Sequence, residues 1–279
     1  ILLCAHQSPD GDTLGSSSSI FNWLIREKKD VVAFCASEIP HEFLYLDNIH
    51  RYTSDPEVFL REYDLIIVFD SGDLKYCGVA DHIATMKTVP PIVNIDHHPT
   101  NTQFGELVML DTNSSSTSEI IGRFYAEMKI RVDHRMATSV LTGLVTDTGS
   151  FSNPATNAVA LEVASRMMSA GARMDDIRRN VLQRHTIASL KLWGTVLSRL
   201  RYDKERDMAV TYIRHDDVQH MPAESASGIS NFLGANLGDH DTMLVLHETE
   251  DGYVKGAMRS KTRDVSKIAQ EFGGGGHKL

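Results

Sequence analysis

Four short apolar runs in the first hundred residues constrain the fold more than any other feature: Ile1 to Ala5, Val31 to Cys35, Leu65 to Phe69 and Ile92 to Ile95. Each has strand length, and the later ones, each following a long connection, lack the regular polar alternation of a strand wet on one face. Between the first two, Leu14 to Glu27 sets Leu14, Ser18, Phe21, Leu24 and Ile25 on one helical face. This pattern predicts an α/β fold with a doubly wound, mainly parallel sheet covered by helices on both faces.

From Ser116 the period turns helical. Ser116-Thr117-Ser118-Glu119 has capping-box form, and Ile120, Ile121, Phe124 and Met128 continue as an apolar stripe. Further helices are expected over 134–145, 156–169 and 174–183, with a connecting helix from Ile187 to Leu200. Strands return at Met208 to Ile213, Met243 to Glu248 and Tyr253 to Met258, followed by a helix at Val265 to Phe272 and the run Gly273-Gly274-Gly275-Gly276-His277. The expected organisation is a larger domain over 1–183, a helical linker over 184–198 and a smaller C-terminal α/β domain over 199–279. At about 100 to 200 residues per domain the 279-residue length suits one or two, and 42% hydrophobic content supplies a core for each.

Charge and cysteine usage narrow the partners. Lys plus Arg number 28 against 37 Asp plus Glu, a formal charge of −9, so strong attraction to long nucleic acid is not expected. The apolar runs fall far below the roughly 18 residues of a membrane span. Cys4, Cys35 and Cys77 form no C-x-x-C pair and suit reduced thiols in a cytoplasmic protein. The chain opens on Ile1 inside an apparent strand, with no initiator Met and no basic segment before an apolar stretch. A signal peptide is therefore not read, and both ends look trimmed.

The chemistry gathers at the strand ends. The first strand runs into His6-Gln7-Ser8-Pro9-Asp10-Gly11-Asp12, one imidazole and two carboxylates in a tight loop that opens a helix. Hard divalent cations want oxygen ligands, and an added imidazole moves the preference toward Mn²⁺ or a similar ion. The third strand ends at Asp70-Ser71-Gly72-Asp73 and the fourth at Asp96-His97-His98-Pro99, while Val145-Thr146-Asp147-Thr148-Gly149-Ser150-Phe151 supplies another acid. A single carboxylate after a strand is most simply a solvent cap. Three strand ends together, in a fold whose strand carboxyl ends form the ligand crevice, read as one site. His215-Asp216-Asp217 and Asp239-His240-Asp241 imitate such motifs but sit in polar connections with no further ligand at a fitting position, so both are expected to be surface loops.

In order and spacing, His6-x-x-x-Asp10-x-Asp12, Asp70, Asp96-His97-His98 and Asp147 resemble the four motifs of the DHH phosphoesterase superfamily. Arg259-Ser260-Lys261 and Gly273 to His277 look like its DHHA1 substrate-binding lobe, so the resemblance covers essentially the whole chain. With Asn101, Phe104-Gly105 and Ser116-Thr117 to Glu119, the chain is similar to the branch of oligoribonucleases and 3′-phosphoadenosine-5′-phosphate (pAp) phosphatases, the nanoRNases.

The resemblance implies two Mn²⁺ ions, with Mg²⁺ or Co²⁺ as substitutes. One would be held by His6, Asp10 and Asp70, the other by Asp12, Asp70, His97 and Asp147, with Asp70 bridging. It also implies a catalytic set of His98, Asp70 and Asp96, in which His98 faces the substrate phosphate as general acid and Asp96 orients the histidines. Two cations about 3.5 to 4 Å apart can acidify a shared water and neutralise charge on the attacked phosphorus.

The second lobe suits anion capture. Arg259 can grip a phosphate bidentately beside Ser260, the backbone of Gly274, Gly275 and Gly276 can approach an anion with no Cβ in the way, and His277 adds a donor near neutral pH. Two departures from the family pattern stand out. The chain stops at His277-Lys278-Leu279 where the family usually continues, so the lobe is expected to be incomplete, and Gly256-Ala257-Met258 replaces a more familiar serine-containing form.

The expected activity is hydrolysis of short oligonucleotides to nucleoside 5′-monophosphates, together with pAp to AMP. The expected partners are short single-stranded RNA or DNA oligonucleotides or small phosphorylated nucleotides, with no membrane and with a homodimer left open. Short ligands need few cationic contacts, which agrees with the acidic balance. The alternatives are hydrolysis of a cyclic dinucleotide or its linear product, an inorganic pyrophosphatase with a similar metal lobe, and a nucleotide sensor that has lost catalysis. The glycine run counts against the pyrophosphatase and the intact ligand set against the sensor.

Overall fold

A computed structural model describes residues 1–182, 186–221, 223–226, 228–236 and 240–274. Gly275, Gly276 and His277 of the expected anion site lie outside the described residues, as does Asp239. The chain divides into two compact units, Ile1–Gln183 and Arg184–Leu279.

The first unit is built on six strands: β1 (Leu2–Ala5), β2 (Val32–Cys35), β3 (Tyr52–Thr53), β4 (Ile66–Phe69), β5 (Ile92–Asp96) and β6 (Leu107–Leu110). They pair in the order β3-β2-β1-β4-β5-β6, every pair parallel. The strand order reverses direction between β1 and β4, the place where open α/β sheets leave a crevice beyond their carboxyl ends. Successive side chains serve opposite faces. Leu3, Ala33, Ile67, Phe69 and Ile95 enter one core and Leu2, Cys4, Phe34, Ile66, Val68 and Ile92 the other. Both faces are buried, which explains why the central strands read as apolar runs.

The helices of this unit are α1 (Gly11–Arg26), α2 (Leu74–Cys77), α3 (Ala80–Ala84), α4 (Thr117–Glu127), α5 (His134–Asp147), α6 (Ala158–Ser169) and α7 (Met174–Ile177), the last passing into a π-helical turn at Arg178–Leu182. The expected helix over 174–183 is thus two shorter pieces. Helix α1 is buried nearly all round, including Ser16, Ser17, Ser18 and Ser19. Ser16 and Ser17 satisfy their hydroxyls on the carbonyls of Asp12 and Thr13 one turn back, and Ser19 donates to the Met136 carbonyl. The seam with α5 is therefore made of small residues, and the two backbones come close. A Cβ on Gly15 would stand 2.5 Å from the Ser139 carbonyl oxygen and 2.9 Å from the Gly143 nitrogen.

The second unit contains α8 (Ile187–Ser198), β7 (Arg201–Asp203), β8 (Met208–Ile213), α9 (His215–Val218), α10 (Ile229–Asn236), β9 (Thr242–Glu248), β10 (Val254–Ser260) and α11 (Val265–Glu271). Its mixed sheet has the order β10-β9-β8-β7, with β8 and β9 parallel and the outer pairs antiparallel. Leu192, Trp193 and Val196 of α8 pack with Ala209, Ile213, Met243 and Val245, so the helix expected as a connector contributes to this core. His215-Asp216-Asp217, expected as a surface loop, opens the short helix α9, where Asp217 pairs with Arg199 and caps the Arg214 backbone. No helix among the described residues is long and apolar enough to cross a membrane.

The two kinds of glycine give opposite expectations. Gly15→Ala drives a Cβ into main-chain atoms and is predicted to destabilise by about 1–3 kcal/mol. Gly194→Ala, on α8 with nothing within 4 Å of its would-be Cβ, is predicted to stabilise by about 0.5–1 kcal/mol. Thermal unfolding of the purified variants measures both, and shifts of the same sign would contradict the account of the α1–α5 seam.

Candidate metal centre

The carboxyl ends of β1, β4 and β5, three neighbouring strands, deliver His6, Asp70 and Asp96-His97-His98 to one place. Asp10 caps α1, its Oδ1 accepting from the Asp12 and Thr13 backbone N–H groups at 3.0 Å. Asp12 lies in the first turn of the same helix, and Asp147 is the last residue of α5. Ligand atoms of His6, Asp10 and Asp70 lie within 4.8 Å of one another, as do those of Asp12, His97 and Asp147, and those of Asp70, His97 and His98.

Each buried carboxylate is aimed by a named contact. Asp12, fully buried, accepts from the Thr117 N–H at Oδ2 (2.6 Å) and from the Ser118 N–H at Oδ1 (2.9 Å). Asp70 accepts from the Thr117 hydroxyl at 3.0 Å. The first turn of α4 therefore holds two acids brought from elsewhere in the chain, as an electropositive helix start is suited to do. Gly143 of α5 completes the fit, since a Cβ there would overlap Ser118 Oγ and stand 2.6 Å from Asp12 Oδ1. Asp70 sits at φ 54°, in the left-handed region that Asp tolerates better than most residues. After Asp147 the chain passes through Gly149, Ser150 and Phe151, all at positive φ, while Asn153 donates to the Asp147 carbonyl.

The imidazoles show which atoms face the cluster. His6 Nδ1 lies 2.9 Å from the Gln7 carbonyl oxygen and His97 Nδ1 lies 3.3 Å from that of Ser114. A carbonyl can only accept, so Nδ1 carries the proton in both and Nε2 points inward. His6 Nε2 is 3.5 Å from Asp70 Oδ2, and His97 Nε2 is 3.5 Å from Asp70 Oδ1 and 3.3 Å from Asp147 Oδ2. A neutral imidazole in this tautomer would set a lone pair against carboxylate lone pairs, which is unfavourable unless positive charge stands between them. Protons are one source. Burial lowers the His6 pKa, but the bond to Asp70 and the charges of Asp10 and Asp70 outweigh it and hold the ring above its ordinary value. Burial and the Asp70 charge push Asp12 well up, and burial with the Asp12 and Asp70 charges does the same to Asp147. Asp70 goes the other way, since the His6 bond and the neighbouring imidazoles overcome its own burial. A divalent cation is the other source, and the nitrogen and oxygen donors turned inward here fit one.

His98 is placed differently from His97. It donates from Nδ1 to Asp96 Oδ1 at 2.8 Å, and that bond, acting against burial, raises its pKa to about 9. Asp96, fully buried, is itself held by the His97 N–H and by Asn101 Nδ2, and Asn101 also donates to the side-chain Oδ1 of buried Asn94. The residues missed by sequence reasoning are thus Gly143, Asn94 and the amide donors of Thr117 and Ser118. An asparagine inside the apolar run Ile92 to Ile95 was the one available signal.

In the second unit Arg259 lies exposed on β10, donating from Nη1 to the Met258 carbonyl. Ser260, its neighbour, is buried on the opposite face of the strand. The Ser260 hydroxyl donates to Asp241 at 2.9 Å and accepts from the Arg263 N–H, closing the turn after the strand. Gly274 follows α11, its N–H bonded to the Ala269 carbonyl.

The chain is similar to several known proteins. Over 278 residues the chain is 26% identical to the bifunctional oligoribonuclease and PAP phosphatase NrnA of Thermus thermophilus, covering 99% of this chain and 81% of that one. It is 28% identical to NrnA of Bacillus subtilis, covering 100% and 87%. The crystal structure of an exopolyphosphatase-related protein from Bacteroides fragilis superposes with a TM-score of 0.90 at 25% identity, over 99% of this chain and 84% of the other. The profile of the DHH family, N-terminal domain, matches residues 1–144. With that match spanning more than half of its 279 residues, the chain belongs to the DHH family.

Proposed function

We propose that the protein is a metal-dependent phosphoesterase that hydrolyses short oligonucleotides to nucleoside 5′-monophosphates and pAp to AMP. The observation that carries this reading is the convergence of His6, Asp10 and Asp70 with Asp12, His97 and Asp147, the two sets linked through the Asp70–His97 approach. In this reading His6, Asp10 and Asp70 would hold one divalent cation and Asp12, His97 and Asp147 a second, Mn²⁺ by preference. When bound, such a pair acidifies a water and offsets charge on the attacked phosphoryl group. The remaining work falls to the chain. His98, oriented by Asp96, contacts the phosphate; as the new bond from water to phosphorus forms and the old ester bond breaks, it gives its proton to the leaving oxygen. Asn101 keeps Asp96 in place. In the second unit, which resembles a DHHA1 lobe, Arg259 and the glycine run grip the substrate's terminal phosphate. The NrnA relatives named above act on the same two substrate classes, which supports the reading. A reducing compartment, the cytoplasm, suits the three buried thiols.

Product analysis in Mn²⁺ buffer with pApA, a short RNA ladder, pAp, cyclic di-AMP and pyrophosphate tests the assignment. Release of nucleoside 5′-monophosphates from the short RNAs and pApA, and of AMP from pAp, is expected. Cleavage of pyrophosphate alone, or of cyclic di-AMP in preference to all others, would replace it.

Exhaustive chelation, checked by elemental analysis, is expected to abolish turnover and lower the melting temperature. A ligand at about 100 times its dissociation constant stabilises by roughly 2.7 kcal/mol, and that contribution disappears with the metal. Unchanged turnover and melting temperature would contradict the metal reading. Asp70→Ala is expected to reduce turnover to background because it disturbs both sets. Arg259→Ala is expected to raise KM about 10- to 100-fold, the range for one lost charge-assisted bond. A large fall in kcat with unchanged KM for Arg259→Ala would refute this division of labour.

A further inference from the structure

Tyr76 stands at the rim of the candidate metal centre. Its ring centroid lies 5.4 Å from that of His6 at an interplanar angle of 45°. Tyr76 is 53% exposed, and among the described residues of the first unit every other Phe, Tyr and Trp is buried or partly buried. Large aromatic rings left in water at such a rim are candidates for a ligand's flat face.

The ring is held firmly. Tyr76 belongs to the short helix α2, where Asp73 caps its backbone N–H at 2.7 Å and the next residue, Cys77, is fully buried. The Gln7 N–H donates to the Cys77 carbonyl at 3.1 Å, so the turn bearing Tyr76 is tied to the residue that follows His6. Gly78, at φ +83°, then turns the chain away against Gln7 and Ala36. The aromatic face and the first ligand set therefore share one rigid edge. Stacking on an aromatic face adds affinity for a nucleotide without sequence preference.

We propose that Tyr76 is the stacking platform for the nucleobase next to the phosphate that the site hydrolyses, so that the enzyme takes nucleotide esters in preference to base-free ones. This rests on the phosphoesterase reading. The test compares pApA with two counterparts, each carrying an abasic ribose in place of one adenosine, using wild type, Tyr76→Ala and Tyr76→Phe. Wild type should prefer pApA to one of the abasic forms in kcat/KM. Tyr76→Ala should shrink that preference about 5- to 100-fold, chiefly through KM, and Tyr76→Phe should keep it. An undiminished preference in Tyr76→Ala overturns the proposal, as does an equal loss on all three substrates, which would mark a structural role. Loss of the preference in Tyr76→Phe would assign the effect to the hydroxyl and overturn stacking. If wild type cleaves none of the three, the phosphoesterase reading itself falls.

Discussion

Like charges packed into one small volume are the constraint on which the rest of the first unit depends. Two carboxylates with oxygens within 4.8 Å of one another, such as Asp12 and Asp147, repel by about 3.5 kcal/mol or more at an effective dielectric of about 20. Side-chain rotation cannot relieve this, because Asp12 is fixed by two amide donors from α4 and Asp70 by the Thr117 hydroxyl. The cluster must take up positive charge, either as protons on His6, Asp12 and Asp147 or as cations shared among them. The sheet and helices keep the acids together against that repulsion.

That arrangement has structural requirements reaching well beyond the ligands. The parallel order brings β1, β4 and β5 side by side, and their ends would merely approach one another without the turns that follow. Asp70 turns inward through a left-handed conformation, which for most residues costs roughly 1–2 kcal/mol. Asp147 is followed by three residues at positive φ, two of them not glycine. Strain of this kind persists where the surrounding structure over-determines it, and here it falls on Asp70 and on the turn that follows Asp147. The glycines at 15 and 143 let α1 and α5 close on one another, carrying Asp12 and Asp147 from separate helices into the same cluster.

Much of this was legible in the residues because strands buried on both faces read as apolar runs, and acids placed directly after such runs have few other uses. His6, Asp10, Asp70, Asp96, His97 and His98 were visible on that ground. Asp147, which closes a helix, stood out only weakly as an acid between an apolar stretch and a glycine-containing turn, and the motif it resembles strengthened that reading. What escaped notice depends on contacts distant in sequence. The Thr117 and Ser118 amides reach Asp12 across more than a hundred residues, and nothing in the Ser116 to Glu119 cap indicates a partner beyond its own helix. Gly143 reads as a weak point in a helix until its neighbour is known. Strands β3, β6 and β7 were missed because they are two to four residues long or half-exposed at a sheet edge, and α10 because its turn-rich surroundings mask the helical period. Ser260 shows the converse: a motif residue read as a phosphate ligand has its hydroxyl engaged in the turn it begins.

The decisive property is where cations bind. Crystals grown with Mn²⁺ and measured at the manganese absorption edge would show this directly. Two anomalous peaks are predicted, one among His6, Asp10 and Asp70 and the other among Asp12, His97 and Asp147, with Asp70 touching both. A protein saturated with Mn²⁺ in solution whose crystals show no peak at these residues, or a single peak elsewhere, would contradict it.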